Sequence, residues 1–231
     1  MADTAPKEEK PHHFGHRDRL RERFLKSPDA LPDYELLELI LFMAIPRRDV
    51  KPIAKDLIAK FKNLNGVMRA SVTELQNIPG ISEGAAIALK SVHAASLRML
   101  KQDVMSRPVL SGWQRLLDYL QTSMAHDNRE HFRILFLNKK NEIMADEVQG
   151  SGTVDHTPAY PREIMKRALE LGATALILVH NHPSGDPSPS QADVDMTNDI
   201  IAAARPFDII VHDHIVVARM GTKSFKSMGL L

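Results

Sequence analysis

Five consecutive apolar residues, Ala175-Leu176-Ile177-Leu178-Val179, run directly into His180-Asn181-His182-Pro183 and a loop rich in Pro, Ser and Gly. A run of this length and composition reads as a buried strand. Alternate residues of a strand share a face, so His180 and His182 point the same way at its end. Ser190 and Asp193 then open a helical pattern that continues to about Ala204. Two imidazoles and one carboxylate, with no fourth protein ligand in the motif, form the ligand set of a catalytic zinc site that keeps one position open. Ser190-x-x-Asp193 also has the form of a capping box, so Ser190 could serve as an N-cap alone. The two readings are compatible, because the helix dipole favours a carboxylate in the first turn.

What the chain lacks narrows the chemistry. It has no cysteine, which excludes disulfides, thiol catalysis and the ligand set of the cytidine deaminases. His-Glu-x-x-His is absent, so the thermolysin type of zinc helix is unavailable. No apolar run approaches membrane-spanning length and the N-terminus carries no signal-peptide core, so a cytoplasmic location is expected. Aromatic residues make up only 5% of the chain, which argues against a stacking platform for single strands. A net charge of +1 hides an asymmetry: through Arg107 there are 18 Lys and Arg against 14 Asp and Glu, and from Pro108 onward 12 against 15. The basic first half permits weak, sequence-independent DNA contact without demanding it.

The sequence divides into a disordered tail over 1–15, a helical domain over 16–100, a polar linker over 101–107 and an α/β domain over 108–231. His12 and His13 lie in the tail, and His16 beside it. Helical patterns cover His16 to Leu25, where Arg17, Arg19, Arg21 and Arg23 form a basic collar, then the stretches around Leu37 and Leu57. Asn65-Gly66 breaks the pattern, and Ser71 with Glu74 forms a capping box for a short helix. Ile78-Pro79-Gly80-Ile81-Ser82 resembles the turn of a helix-hairpin-helix, with Ser82 where glycine is usual; if that position needs positive φ, Ser is the worse residue. Beyond the linker come a helix from Trp113, a hairpin with strands Phe132 to Leu137 and Glu142 to Val148, and a helix from Pro161 to Leu171. The His180 strand, the helix from Gln191, a strand from Asp208 to Ala218 and a short helix or turn from Ser224 to Met228 complete the chain. Strands alternating with helices read as an α/β sheet covered by helices.

His180-x-His182-Pro183, seven residues, then Ser190-x-x-Asp193 resembles the JAMM (MPN+) metallopeptidase signature. With Glu147-Val148, Gly152-Thr153, Tyr160-Pro161-Arg162-Glu163, Ser184-Gly185-Asp186-Pro187 and Asp213-His214, the chain resembles the bacterial RadC proteins from about Arg17 to Leu231. The resemblance implies a zinc-dependent hydrolase domain of deaminase-like α/β architecture, a JAMM/MPN domain with a central mixed sheet, behind a small helical domain. It also implies Glu147 as general base, with Zn2+ held by His180, His182 and Asp193. Ser190 would then donate its hydroxyl to a developing oxyanion. Glu142 competes with Glu147, although it shares its strand face with Asp146; Asp186, between two prolines, reads as a turn residue. His212 and His214 form a second His-x-His and are rivals for the ligand role, with His214 also suited to a place behind the ligands or in the core.

The reading that follows is a zinc metallopeptidase or isopeptidase acting on an unknown protein or peptide. The alternative is a DNA-associated repair factor whose zinc domain is a nuclease or catalytically silent. A purely structural module is the third. Nucleases gather several carboxylates around hard ions, whereas this loop offers imidazoles.

Overall fold

The computed structural model of the chain describes residues 15–151 and 160–231. The expected tail, with His12 and His13, and the Gly152-Thr153 pair lie outside the described residues. The chain divides into two compact units, Met1–Ala95 and Ser96–Leu231. Among the described residues no helix is long and apolar enough to cross a membrane.

The first unit is all-helical. It contains α1 (His16–Lys26), α2 (Asp33–Ala44), α3 (Lys51–Phe61), α4 (Leu64–Arg69), α5 (Val72–Gln76) and the start of α6 (Glu83–Met105). Leu37, Leu41, Leu57, Val67, Leu75 and Leu89 interlock in its core. Two of the four arginines of the expected basic collar, Arg17 and Arg23, are engaged by partners elsewhere in this unit. Arg17 donates to the carbonyls of Phe42, Ile45 and Arg48, closing the C-terminal end of α2, and Arg23 pairs with buried Glu35 at 2.8 Å. Lys90 does the same for α4, donating to the carbonyls of Met68 and Ala70. Asn65-Gly66 does not break the helix: the Asn63 side chain accepts from Gly66 N and starts α4 there. In the Pro79-Gly80 turn the positive φ, 94°, falls on Gly80. Ser82 instead accepts from Ala85 N through its hydroxyl, so serine costs that turn nothing.

The second unit is a five-stranded mixed sheet between helices. After α6 come α7 (Trp113–Met124), β1 (His131–Leu137), β2 (Ile143–Ser151), α8 (Pro161–Leu171), β3 (Ala175–Asn181), α9 (Gln191–Ala204), β4 (Ile210–Ala218) and β5 (Gly221–Ser224). The strand order is β2-β1-β3-β4-β5, with β3 and β4 parallel and every other pair antiparallel. All seven residues of β3 are buried. Ala175, Ile177 and Val179 face α7, while Leu176 and Leu178 face α8 and α9. Each large apolar side chain so buried contributes roughly 1.5–3 kcal/mol. Continued alternation sends His180 to the α8/α9 face.

The expected linker also needs correction. Residues 101–105 are helical, because α6 continues through Met105. Val104 is buried in the α7 core, an anchor that the polar neighbours conceal. The segment from Ser224 to Met228 closes as the expected turn, with Met228 N donating to the carbonyls of Ser224 and Phe225; the short strand before it, β5, carries no apolar alternation in its residues Gly-Thr-Lys-Ser and pairs with β4 through backbone bonds.

Candidate metal centre

Strand β3 delivers His180, the residues beyond it deliver His182, and the first turn of α9 delivers Asp193. One ligand atom from each lies within 4.8 Å of the others. His180 and His182 approach through Nε2 at 2.9 Å. Asp193 sets Oδ1 3.3 Å from His180 Nε2 and Oδ2 3.5 Å from His182 Nε2. His180 and Asp193 are buried, whereas the His182 side chain keeps 18% of its surface, so the centre opens on that side.

The loop between His182 and Ser190 is built to hold this shape. His182 Nδ1 donates to the carbonyl of Asp186 at 2.9 Å. Gly185 sits at φ 98°, a conformation that favours glycine, and an added Cβ would press on the Arg219 side chain at 3.2 Å. Arg219 donates to the carbonyls of Pro183 and Ser184, Met220 N to that of Gly185, and Lys223 to Ser188 Oγ. The β4–β5 turn therefore braces the loop. Asp186 takes hydrogen bonds from the side chain and backbone of Ser188, which hold its carboxyl below the usual range. It is a turn residue.

Ser190 and Asp193 form a complete capping box. Ser190 N and Oγ both reach Asp193 Oδ2 at 2.7 Å, and Ser190 Oγ accepts from Asp193 N. Burial alone would raise the Asp193 pKa, but hydrogen bonds from His180, His182 and Ser190 hold it far below the ordinary carboxylate range. The same bond to Asp193 raises His182, against the opposing pull of burial.

The donor chemistry of this cluster fits a metal ion. The Asp186 carbonyl only accepts, so His182 Nδ1 carries a proton and a neutral His182 offers a bare Nε2. Asp193 offers its remaining oxygen. With both imidazoles neutral and bare at Nε2, these acceptors converge on one point, an arrangement that a cation resolves.

Glu147 stands apart from the triad. It pairs with Ile134, which in turn pairs with Leu178, two residues before His180. Glu147 therefore shares the sheet face of His180 at a Cα separation of about 12 Å, from ~4.8 Å per strand and ~3.3 Å per residue. Its carboxylate is gripped by Arg167 of α8, at 2.7 Å from Nη2 and 3.0 Å from Nε. The Arg167 hydrogen bonds hold the Glu147 pKa below its usual value, against burial. Glu142 lies at the hairpin turn, bonded to Asn138.

The second His-x-His is split. A register shift beside Leu176 and Ile177 sets Val211 and Asp213 on successive β3 partners, with His212 between them. His212 reaches Asn141 Oδ1 at 2.7 Å, far from the cluster. His214 is buried behind His180, its Nε2 2.8 Å from His180 Nδ1, and burial holds its pKa well below the usual value. Thr197, Arg167 and Arg219 were not anticipated. Thr197 alone left a trace in the sequence, four residues after Asp193 on the same helix face.

A family model described as RadC-like JAB domain matches residues 110–230, and a second, described as UPF0758 N-terminal, matches residues 12–87. The first span contains the three clustered residues, Glu147, Arg167 and every residue that braces the loop.

Proposed function

The chain belongs to the RadC family, and on that premise we propose that its second unit is a zinc-dependent hydrolase of the JAMM type, a metallopeptidase or isopeptidase that cuts an amide bond in a protein or peptide. The observation that carries this reading is the convergence of two imidazole nitrogens and one carboxylate within 4.8 Å of one another. Imidazole suits zinc, and a single carboxylate is a poor match for the hard-ion centres of nucleases. A zinc ion held by His180, His182 and Asp193 supplies Lewis acidity, enough to bring the pKa of a water to roughly 7.

The protein's own groups do the rest. Glu147 takes the proton of the attacking water and returns it to the leaving amine. Gripped by Arg167 its basicity is low, so this pair is the resting arrangement, and a substrate that draws Arg167 away restores Glu147 as a base. Ser190 holds Asp193 in place. Turning its hydroxyl from Asp193 Oδ2 to a developing oxyanion leaves Asp193 still bonded to Ser190 N, so α9 keeps its cap. A DNA-associated role for the helical unit has less support, because Arg17 and Arg23 are committed to carbonyls and to Glu35.

The test is Glu147→Gln in the full chain, assayed on a panel of peptide and isopeptide substrates with and without chelator. Gln cannot accept the proton, so zinc content should be unchanged and chelator-sensitive cleavage lost. Cleavage within a few-fold of wild type would remove Glu147 from the base role.

A further inference from the structure

His180 has a second ring nitrogen, and its partner decides whether the first can meet a cation. His180 Nδ1 lies 2.8 Å from His214 Nε2, and His214 Nδ1 lies 2.6 Å from Thr197 Oγ1. His180, His214 and Thr197 are all within 1% of complete burial, so these contacts are the ones that must satisfy their polar atoms.

The direction of this chain is set at its far end. Thr197 Oγ1 lies 2.5 Å from the carbonyl oxygen of Asp193, one helical turn back. A carbonyl oxygen only accepts, and two oxygens so close need a proton between them. The single Thr197 proton is therefore spent on Asp193, and the hydroxyl lone pair faces His214 Nδ1, which must carry hydrogen. A neutral imidazole has one N–H, so His214 Nε2 is bare and accepts from His180 Nδ1. His180 Nε2 is then bare as well, 3.3 Å from Asp193 Oδ1 and 2.9 Å from His182 Nε2, a contact that a proton on His182 or a cation bridges. The opposite direction would leave an unshared contact between Thr197 and the Asp193 carbonyl. It would also put a hydrogen on His180 Nε2, where a cation has to sit.

From this geometry we infer that Thr197 and His214 are positioning residues of the metal centre, locking His180 in the tautomer that presents Nε2 to a metal ion. The lock begins on the backbone of Asp193 and ends on His180, so it ties one ligand to another. The inference rests on the metal-centre reading above. Partners behind a ligating histidine fix its tautomer and orientation, and losing one typically costs about 10- to 100-fold in metal affinity.

The experiment uses the full chain labelled with 15N-histidine. Long-range nitrogen–proton correlation on the chelated protein at mildly alkaline pH reads each tautomer. His214 is expected in the Nδ1–H form, opposite to the Nε2–H form that free imidazole side chains prefer. Thr197→Val keeps the shape and removes the hydroxyl. It should move His214 to Nε2–H and weaken zinc binding, measured by competition with a chromogenic chelator, by about 10-fold or more. Thr197→Ser should restore both readings. Wild-type His214 in the Nε2–H form would overturn the inference, as would Thr197→Val binding zinc as tightly as wild type. The tautomer is read without metal. A wild type that takes up no zinc therefore defeats the metal reading, and a wrong tautomer defeats the lock. Should the valine variant fail to fold, the wild-type tautomer still decides.

Discussion

Ser190→Ala removes one oxygen that makes two contacts, and the cost can be worked from both. As N-cap of α9, Ser190 Oγ accepts from Asp193 N at 3.2 Å; replacing such a cap by alanine costs about 0.5–2 kcal/mol. Its hydroxyl also donates to Asp193 Oδ2 at 2.7 Å, and a hydrogen bond to a charged group contributes roughly 1.5–3 kcal/mol. Ser190 is exposed, Asp193 Oδ2 keeps its bond from Ser190 N, and one oxygen serves both contacts, so the two figures do not add. A loss of about 2 kcal/mol is expected, lowering the melting temperature of this unit by roughly 4–8 °C. The chain has a single tryptophan, Trp113 at the start of α7, packed against the second unit's core. Its fluorescence during urea unfolding of chelated protein reports on that unit. Ser190→Thr should recover most of the loss. A change under about 0.5 kcal/mol in the alanine variant, or a threonine variant equally damaged, would refute the structural part assigned to this hydroxyl.

Arg167→Gln should release Glu147 and let its carboxyl pKa rise toward the ordinary value, since the Arg167 hydrogen bonds are the main cause of its depression; carboxyl NMR that shows no rise would contradict the clamp. Zinc affinity should fall as pH drops through the raised pKa of His182, above the usual ~6.5, because protonation and the metal compete for the same nitrogen. Asp193 stays ionised throughout, so calorimetric titration showing a dependence that begins only near pH 4 would contradict this order. Without metal the sign reverses: a raised folded pKa stabilises below the unfolded value of about 6.5 and the contribution is lost as pH rises through the folded value. Chelated protein should therefore lose stability above neutral pH while zinc-loaded protein gains it.

The parts of the site that could be read from the chain are those set by local period. His180 and His182 share a face because strands repeat every two residues, and Ser190 with Asp193 carries a helix start in its spacing. The covering helices on both sides of β3 follow from its unbroken apolar run. What could not be read depends on non-local pairing. Nothing near Glu147 announces Arg167, twenty residues on in α8. His212 and His214 look equivalent until a register shift separates them. Arg17 and Arg23 of α1 look free until the fold brings carbonyls to the one and Glu35 to the other. Residues 101–105 look like a linker because only Val104 and Met105 among them pack against the core. Gly221–Ser224 shows no strand pattern because an edge strand needs backbone bonds and no apolar side chains.

Metal content tests the central claim most directly. Wild-type protein dialysed against excess zinc, then against metal-free buffer, should retain one zinc per chain by elemental analysis. His182→Ala, handled identically and with Trp113 fluorescence showing an intact fold, should retain none. Full occupancy in His182→Ala, or an empty wild type, would contradict the assignment of His180, His182 and Asp193 as the ligands.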